Sequence, residues 1–384
     1  MTGGNAEELV APLPEGSVPA APSPFTVLRW ARQVRSIPPE EGREPAQPHL
    51  ITADIQFDNT ADTKYSRRNA AFSRVAHLFH QNWHGIRSAA GVLPGHKIAI
   101  PVGISVNRKV LQSIISQLTQ WNVEKVVFHG FSLAAETILR SLNRAGFTNY
   151  LVWHGNLSQL VWEPEVDFFK NAFNACRRGN FRRAHMLKAG MDSVFPNAFG
   201  PLLCNSPPVL ARERSVPAFQ SSRKIALVSA APDIRKNIYT SLMGASLSRS
   251  LSDVLHYCKV KAPISTLSRA RRVIYGGHEK HLTLLQNVDV SVNVTAIDCH
   301  PMVDLEAIGA GAFPITGPLF LDTLTDHPFT KLSEVINPFD VVGIANRIDL
   351  IGSMKPSEIQ GIMADYEKRL ATVSLQRYAE FLEL

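Results

Sequence analysis

Residues 289–316 read DVSVNVTAIDCHPMVDLEAIGAGAFPIT. The run DVSVNV is a short β-branched run, rich in Val, which predicts a strand. Pro301 suits an early helix position, so a helix is expected over Pro301–Gly309, followed by a glycine-rich turn and a second strand over Phe313–Thr316. A strand, a loop that opens a helix, and another strand are typical of a parallel α/β sheet.

The same unit recurs on the N-terminal side of this stretch. Three segments, KIAIPV (97–102), KVVFH (125–129) and NYLVWH (149–154), predict strands separated by helical periods, and KIALVS (224–229) begins a second set. Steps of about 25 residues between strands predict parallel pairing with right-handed crossovers. The segment Tyr65–Ala89 is expected to be helical.

These patterns divide the chain into four parts. Residues 1–48 are rich in Pro, Ala and Gly and predict a mobile tail, because such a composition buries too little surface to offset its ordering entropy. Residues 49–210 predict a first Rossmann-like domain, and residues 211–350 predict a second one after a stretch rich in Pro and Arg. Residues 351–384 predict a C-terminal helical segment.

Composition excludes several classes of protein. With 384 residues and 45% hydrophobic residues, the chain can form real cores, so neither a disordered protein nor a small disulfide scaffold is indicated. The four cysteines are spread singly, which favours a reducing compartment and indicates no zinc site. The sequence has no apolar run long enough to span a membrane and no nucleic-acid-binding motif. We therefore expect a cytoplasmic protein, and its net charge of +7 suits anionic partners.

The loop between the strand and the helix of residues 289–316 carries the strongest chemical pattern. In open parallel sheets, ligands bind outside the carboxyl ends of the strands, where helix N-termini attract anions. Asp298 lies in the loop and Glu306 lies in the first turns of the helix. The free amides of Met302 and Val303 are expected to point toward the same cleft. A capped helix with a solvated or ion-paired Glu306 would produce the same pattern.

This segment resembles the C-terminal motif of retaining glycosyltransferases of the GT-B fold, family 4 type. The match runs through Asp298, Pro301, Glu306, Ala307 and Gly311, with Asp in place of the usual first Glu. The resemblance implies two facing Rossmann-like domains, with the C-terminal helix crossing back to the first. It also implies that Asp298 faces the transferred sugar, that the amides of Met302 and Val303 bind sugar hydroxyls or diphosphate, and that Glu306 binds the nucleotide ribose.

A second loop leaves the first strand of the second domain and contains Arg235 and Lys236. It is similar to the basic segment that neutralises the donor diphosphate in the same family. Cations held there would stabilise the charge that develops on a departing nucleoside diphosphate. Because these cations take the place of a divalent metal, no metal and no other cofactor is expected. A solvated helix start is the alternative interpretation of Arg235 and Lys236.

Further candidates come from strand ends and helix starts. His278 corresponds in position to the segment that brackets the nucleobase in this family, although a surface helix N-terminus is an equal alternative. His154 and His129 each precede a glycine at the end of a predicted strand and resemble the acceptor-side histidine, and His154 is preferred as a catalytic residue. For either histidine taken alone, a buried histidine whose ring is satisfied by the backbone is the stronger interpretation. Gly103 follows KIAIPV and would allow close approach of the acceptor.

The stretch Arg177–Lys188 is basic and is expected to be partly helical. Its arginines, Arg182 and Arg183 among them, suit a phosphorylated acceptor or an acidic membrane surface in peripheral contact. A solvated basic face is the common alternative.

From the family resemblance, the chain is expected to be a glycosyltransferase that uses a nucleotide-diphospho-sugar, with an acceptor that is a glycan, a lipid-linked glycan, a protein or a small molecule. The alternatives are a sugar-nucleotide hydrolase or epimerase and a non-catalytic scaffold of the same fold.

Overall fold

The structure is a computed structural model that describes residues 55–58, 69–101, 106–210, 219, 221–229, 236–258, 269–295 and 297–384. The predicted tail, residues 1–48, and the candidate residues Gly103 and Arg235 lie outside the described residues. Two sheets are described below, and both belong to one compact unit, Gln47–Leu384.

The first sheet has six strands within the described residues, in the order β1-β3-β2-β4-β5-β6. Its neighbouring strands are parallel, except that β1 pairs antiparallel with β3. In chain order the strands are β1 (Gln56–Asp58), β2 (Val75–His80), β3 (His96–Ile100), β4 (Lys125–His129), β5 (Thr148–Trp153) and β6 (Arg183–Met186).

The second sheet has five strands among the residues that the structure describes, in the order β11-β10-β7-β8-β9. All of its neighbouring strands are parallel. In chain order the strands are β7 (Ile225–Val228), β8 (Asp253–His256), β9 (Ala270–Arg272), β10 (Val290–Asn293) and β11 (Phe313–Thr316). The strands on either side of the loop that contains Asp298, β10 and β11, therefore form where the sequence predicts them.

Helices alternate with these strands. They are α1 (His84–Val92), α2 (Arg108–Gln120), α3 (Leu133–Arg144), α4 (Glu163–Arg177), α5 (Ile238–Leu247), α6 (His278–Leu285), α7 (Met302–Ala310), α8 (Pro328–Ser333), α9 (Val341–Ser353) and α10 (Pro356–Leu382). Where the structure describes the chain, no helix is both long and apolar enough to cross a membrane.

Two segments depart from the sequence prediction. The expected helix Tyr65–Ala89 is wrong, because Val75–His80 is the fully buried strand β2 and helix α1 begins only at His84. The buried His77 and His80 interrupt the apolar run that would have identified this strand. The stretch Arg177–Lys188 is also not a helix, since α4 ends at Arg177 and the strand β6 begins at Arg183.

Helix α10 connects the two sheets. Its N-terminal part, which includes Met363 and Leu370, packs in the core that covers the second sheet. Its C-terminal part, which includes Tyr378 and Phe381, packs with Tyr150 in the core of the first sheet. At about 1.5 Å per residue, a helix of 27 residues is roughly 40 Å long. The predicted return of the C-terminal helix to the first domain is therefore confirmed.

Basic side chains at the amino ends of strands in the first sheet contact the end of α10. The Lys125 ammonium donates to the carbonyls of Leu382 and Glu383, both at 2.7 Å. The Arg182 and Arg183 guanidiniums pair with the Glu383 carboxylate at 3.1 Å and 2.9 Å. These contacts fix the direction in which α10 leaves the second sheet.

We predict that docking of α10 contributes strongly to stability. Phe381 is fully buried, so Phe381→Ala should reduce the free energy of unfolding by about 3–5 kcal/mol through lost burial and a cavity. Leu384, which is 44% exposed, is the matched control, and Leu384→Ala should stay within about 0.5 kcal/mol of the wild type. Urea unfolding followed by circular dichroism measures both values. Equal effects of the two variants would contradict a docked helix end.

Candidate active site

A large cleft lies where the carboxyl ends of strands from both sheets meet. Its volume is about 1400 Å³. Its lining includes Arg87 and Ser88 from α1 on the first-sheet side, and Asp298, Met302 and Glu306 on the second-sheet side. The cleft therefore combines residues from both halves of the fold, and the predicted donor residues Asp298 and Glu306 face it together.

Asp298 is held by cations from two other segments. The Lys236 ammonium, which lies just before α5, forms an ion pair with the Asp298 carboxylate. The Lys188 ammonium, just after β6, donates to the Asp298 carbonyl at 2.8 Å. The Asn293 amide lies 3.4 Å from the same carboxylate. These contacts therefore orient the Asp298 carboxylate in the lining of the cleft.

The loop that carries Asp298 also contacts the first-sheet half directly. The Asn156 side-chain amide donates to the Ile297 carbonyl. The backbone N–H of Asn205 donates to the His300 Nδ1 at 2.9 Å, and its side-chain amide donates to the His300 carbonyl at 2.6 Å. The Cys299 thiol lies 3.3 Å from the Gly155 carbonyl. Cys299 and His300 therefore contribute contacts that join the two halves beside the cleft.

Glu306 receives hydrogen bonds from both halves of the fold. Its Oε1 accepts from the Ser88 hydroxyl at 2.6 Å and from the His278 Nε2 at 2.9 Å. The His281 Nε2 lies 3.7 Å from the other carboxylate oxygen. Glu306 is only 5% exposed, so these partners compensate the cost of burying its charge.

The hydrogen bond to Glu306 raises the pKa of His278, with the Glu306 charge acting in the same direction against the lowering effect of burial. Burial lowers the pKa of the neighbouring His281. The Tyr257 hydroxyl lies 2.8 Å from the His281 Nδ1. A neutral His281 can accept this hydrogen bond at Nδ1 while its Nε2 proton faces Glu306. The pKa of His278 is therefore raised and the pKa of His281 is lowered, so His278 binds a proton more readily than His281 does.

The N-terminus of α7 opens into the cleft. Met302 and Val303 are the first two residues of this nine-residue helix, and both line the cleft. The N-cap residue, Pro301, has no side-chain donor or acceptor and makes no capping hydrogen bond. The first amides of a helix carry partial positive charge, so this end suits an anion or a hydroxyl oxygen.

Arg87, Arg272 and Lys236 also line the cleft, while Glu306 and Asp298 supply its carboxylates. A third acid, Asp304, is buried, and burial raises its pKa to about 8. Asp304 is therefore mostly protonated at neutral pH and adds little negative charge. The balance of charges favours an anionic ligand that also offers hydroxyl groups to the carboxylates.

The candidate histidines follow neighbouring strands of the first sheet. His154 lies just after β5 and lines the cleft, whereas His129 ends β4 and is buried behind it. Their ring nitrogens, His154 Nε2 and His129 Nδ1, are 2.8 Å apart. The two residues are thus partners in one arrangement, although only His154 reaches the cleft.

Arg182 and Arg183 lie elsewhere. They stand at the start of β6, at the amino edge of the sheet, and contact Glu383 and the Glu380 carbonyl at the end of α10. Strand direction explains this placement, because the carboxyl end of β6 leads to Lys188 at the cleft. The structure therefore does not bring these two arginines to the candidate acceptor side.

Several cleft residues were not identified from the sequence. Arg87 and Ser88 lie on α1, whereas the sequence pattern predicts one long helix over Tyr65–Ala89. Tyr257 and Arg272 follow or end the short strands β8 and β9, and no motif marks them. A correct placement of β2 would have located α1 at the carboxyl edge of the first sheet.

No protein-family model matches the chain, and no curated protein sequence matches it. Solved structures do match. A UDP-forming α,α-trehalose-phosphate synthase from Burkholderia vietnamiensis is similar at 9% identity and a TM-score of 0.50, over 81% of this chain and 100% of that one. The chain has the GT-B fold. This likeness is one of fold alone, and the finer resemblance to family 4 stays a prediction.

Two further structures are similar to the chain. One is described as trehalose-6-phosphate from E. coli bound with UDP-2-fluoro glucose, with 9% identity, a TM-score of 0.48, and coverage of 80% of this chain and 97% of that one. The other is the catalytic domain of a cholesterol-α-glucosyltransferase from Helicobacter pylori, with 18% identity, a TM-score of 0.32, and coverage of 40% and 99%.

Within the described residues, no three His, Cys, Asp or Glu side chains are grouped so as to hold a metal ion. The expectation of a metal-independent reaction is not tested by this and stays a prediction.

We predict that Glu306 controls the protonation of His278. Glu306→Gln should lower the pKa of His278, because the partner that raises it is removed while burial remains. Since the folded-state pKa is raised, the stabilisation from this pair is fully present below about pH 6.5 and is lost as the pH rises through the folded-state pKa.

NMR titration of the His278 ring measures the pKa, and Glu358→Gln, at an exposed position of α10, is the control. An unchanged His278 pKa in Glu306→Gln would show that the two side chains are not coupled in solution.

Proposed function

We propose that this protein is a glycosyltransferase that moves a sugar from a nucleotide-diphospho-sugar to an acceptor, with retention of the anomeric configuration. The observation that carries the proposal is the position of Asp298 and Glu306 at opposite ends of one loop and helix start, both facing the cleft with Lys236 beside them. The GT-B fold supports the proposal because its two sheets form the two sides of the cleft.

Each group in the cleft suits one part of such a donor. An ionised carboxylate only accepts hydrogen bonds, so Glu306 suits the paired hydroxyls of a ribose. Ser88 and His278 contact the Glu306 Oε1, where a ribose hydroxyl would donate its hydrogen bond. A bound nucleotide would therefore replace the Ser88 hydrogen bond with one of its own.

Lys236 and the N-terminus of α7 suit the diphosphate. Transfer breaks the bond between the anomeric carbon and a diphosphate oxygen, and the electron pair stays on the diphosphate. The acceptor oxygen bonds to the anomeric carbon and passes its proton to the departing diphosphate oxygen. Negative charge on the leaving group grows during this step, so a fixed cation and oriented amides stabilise the transition state more than the bound donor.

Asp298 suits the transferred sugar. Its carboxylate pairs with Lys236, and its loop contacts Asn156 of the first-sheet half. A carboxylate at this point would accept hydrogen bonds from sugar hydroxyls and stabilise positive charge at the anomeric carbon. The acceptor would then approach from the side of His154.

The acceptor class and a peripheral membrane contact remain expectations from the sequence. Arg177 and Arg178 are exposed, so they remain compatible with an anionic surface. Arg182 and Arg183 are paired with Glu383 and support the fold instead.

The test is release of nucleoside diphosphate from UDP-, GDP- and dTDP-sugars, with and without candidate acceptors. We expect acceptor-dependent release, and Lys236→Gln should lower kcat/KM about 100-fold or more, as loss of one preorganised electrostatic group does. Lys331→Gln is the matched control, because Lys331 is 64% exposed and lies outside the cleft lining.

Equal release with and without acceptors would favour a sugar-nucleotide hydrolase. Binding of a sugar nucleotide without release under any condition would favour a non-catalytic scaffold. An unchanged rate in Lys236→Gln would contradict the role of this residue at the diphosphate.

A further inference from the structure

Three histidines form a continuous chain of ring contacts from the cleft into the first sheet. The His154 Nε2 lies 2.8 Å from the His129 Nδ1. The His129 Nε2 lies 2.9 Å from the His77 Nδ1, and the His77 Nε2 lies 2.8 Å from the Pro94 carbonyl oxygen. His129 and His77 are 1% and 0% exposed, so the chain is closed to solvent behind His154.

The strand register produces this chain. Val127 pairs with His77 across β2 and β4, and Val152 pairs with His129 across β4 and β5. His129 therefore lies two residues beyond the partner of His77, and His154 lies two residues beyond the partner of His129. Residues two apart on a strand share a face, so the three rings lie on one diagonal of the same face.

Burial lowers the pKa of all three histidines, to about 3 for His154 and well below the ordinary value for His77 and His129. The buried Lys97 ammonium lowers the pKa of His77 and His129 further. The three rings are therefore neutral at physiological pH, and each carries one ring proton.

The end of the chain fixes the direction of every hydrogen bond. A carbonyl oxygen only accepts, so the single proton of His77 is on Nε2, toward Pro94. Its Nδ1 then accepts the proton of His129 Nε2–H. The Nδ1 of His129 in turn accepts the proton of His154 Nε2–H. This leaves the Nδ1 of His154 with a lone pair and no proton.

The loop that supplies this carbonyl is held firmly. The Lys97 ammonium donates to the Leu93 carbonyl at 2.6 Å and to the Gly95 carbonyl at 2.7 Å. Gly95 has a φ of +110°, and a Cβ there would lie 2.8 Å from the Val75 carbonyl and 3.3 Å from the His77 Nε2. Only glycine allows the loop to approach the His77 ring so closely.

We propose that His77 and His129 are positioning residues that fix His154 as its Nε2–H tautomer, so that the His154 Nδ1 accepts a hydrogen bond from a sugar hydroxyl in the cleft. His154 lines the cleft, and its Nδ1 has no hydrogen-bond partner among the described residues. The contact with a sugar hydroxyl rests on the proposed function. The tautomer itself depends only on the chain of histidines.

The direct test is NMR of the full-length protein labelled with ¹⁵N-histidine. Long-range ¹H–¹⁵N correlations distinguish the two tautomers, and single His→Gln variants assign the three rings among the 13 histidines. We expect His77, His129 and His154 to be neutral Nε2–H tautomers at pH 7. His154 found as the Nδ1–H tautomer, or doubly protonated, would overturn the proposal whatever the protein catalyses.

Two variants of His77 test the action at a distance. In His77→Gln, the amide can donate to the Pro94 carbonyl while its oxygen accepts from His129, so the His154 tautomer should persist. His77→Leu breaks the chain, so the His154 Nδ1 and Nε2 signals should move toward each other as the tautomers mix.

Once a sugar nucleotide that the protein uses has been identified, kinetic measurements test the contact with the sugar. His77→Leu should raise KM or lower kcat, whereas His77→Gln should retain the wild-type values. A His154 tautomer unchanged in a folded His77→Leu protein would overturn the positioning role. If His77→Leu does not fold, the wild-type spectrum still decides the proposal. If both His77 variants lose activity while His154 keeps its Nε2–H tautomer, the result would count only against the contact of His154 with a sugar hydroxyl.

Discussion

The cleft depends on a carboxylate that cannot be buried unpaired. Glu306 is 5% exposed, and leaving its charge without partners would cost far more than one ordinary hydrogen bond contributes. Its partners come from both halves of the fold, since Ser88 lies on α1 and His278 lies on α6. These contacts set how α1 and α6 face α7, and thereby place the helix N-terminus and the Asp298 loop at one opening. Binding of a ribose at Glu306 would exchange the Ser88 contact for contacts of the same chemistry.

Contacts between the two halves of the fold also continue around the rest of the site. The Asp298 loop is tied to the first-sheet half by Lys188 and Asn205, and α10 packs on both sheets at once. Near the cleft these ties are hydrogen bonds, whereas α10 combines apolar packing on both sheets with the ion pairs of Glu383 at its end. Both kinds of contact hold the two halves together around the cleft. That combination suits a site that binds a charged donor and releases a charged product while the two sheets keep their arrangement.

The sequence predicted β10, β11 and the segment that carries Asp298 and Glu306 well, because DVSVNV is rich in β-branched Val and Pro301 marks the helix start. It failed for β2, whose buried His77 and His80 look polar in a one-dimensional pattern. The polar character of these histidines is satisfied by partners 17 and 52 residues away, which no local pattern reveals. Likewise, the basic residues Arg182 and Arg183 contact a helix end 200 positions later in the chain, so composition alone suggested a binding surface that the fold does not place at the cleft.

Thermal unfolding across a panel of UDP-, GDP- and dTDP-sugars shows whether this cleft binds a nucleotide-diphospho-sugar through Glu306. A ligand that binds only the folded protein stabilises it by about 2.7 kcal/mol at 100 times its Kd. We expect at least one donor to raise the Tm of the wild-type protein at millimolar concentration, and the same donor to leave the Tm of Glu306→Ala unchanged. No shift with any donor, or equal shifts in both proteins, would contradict the account.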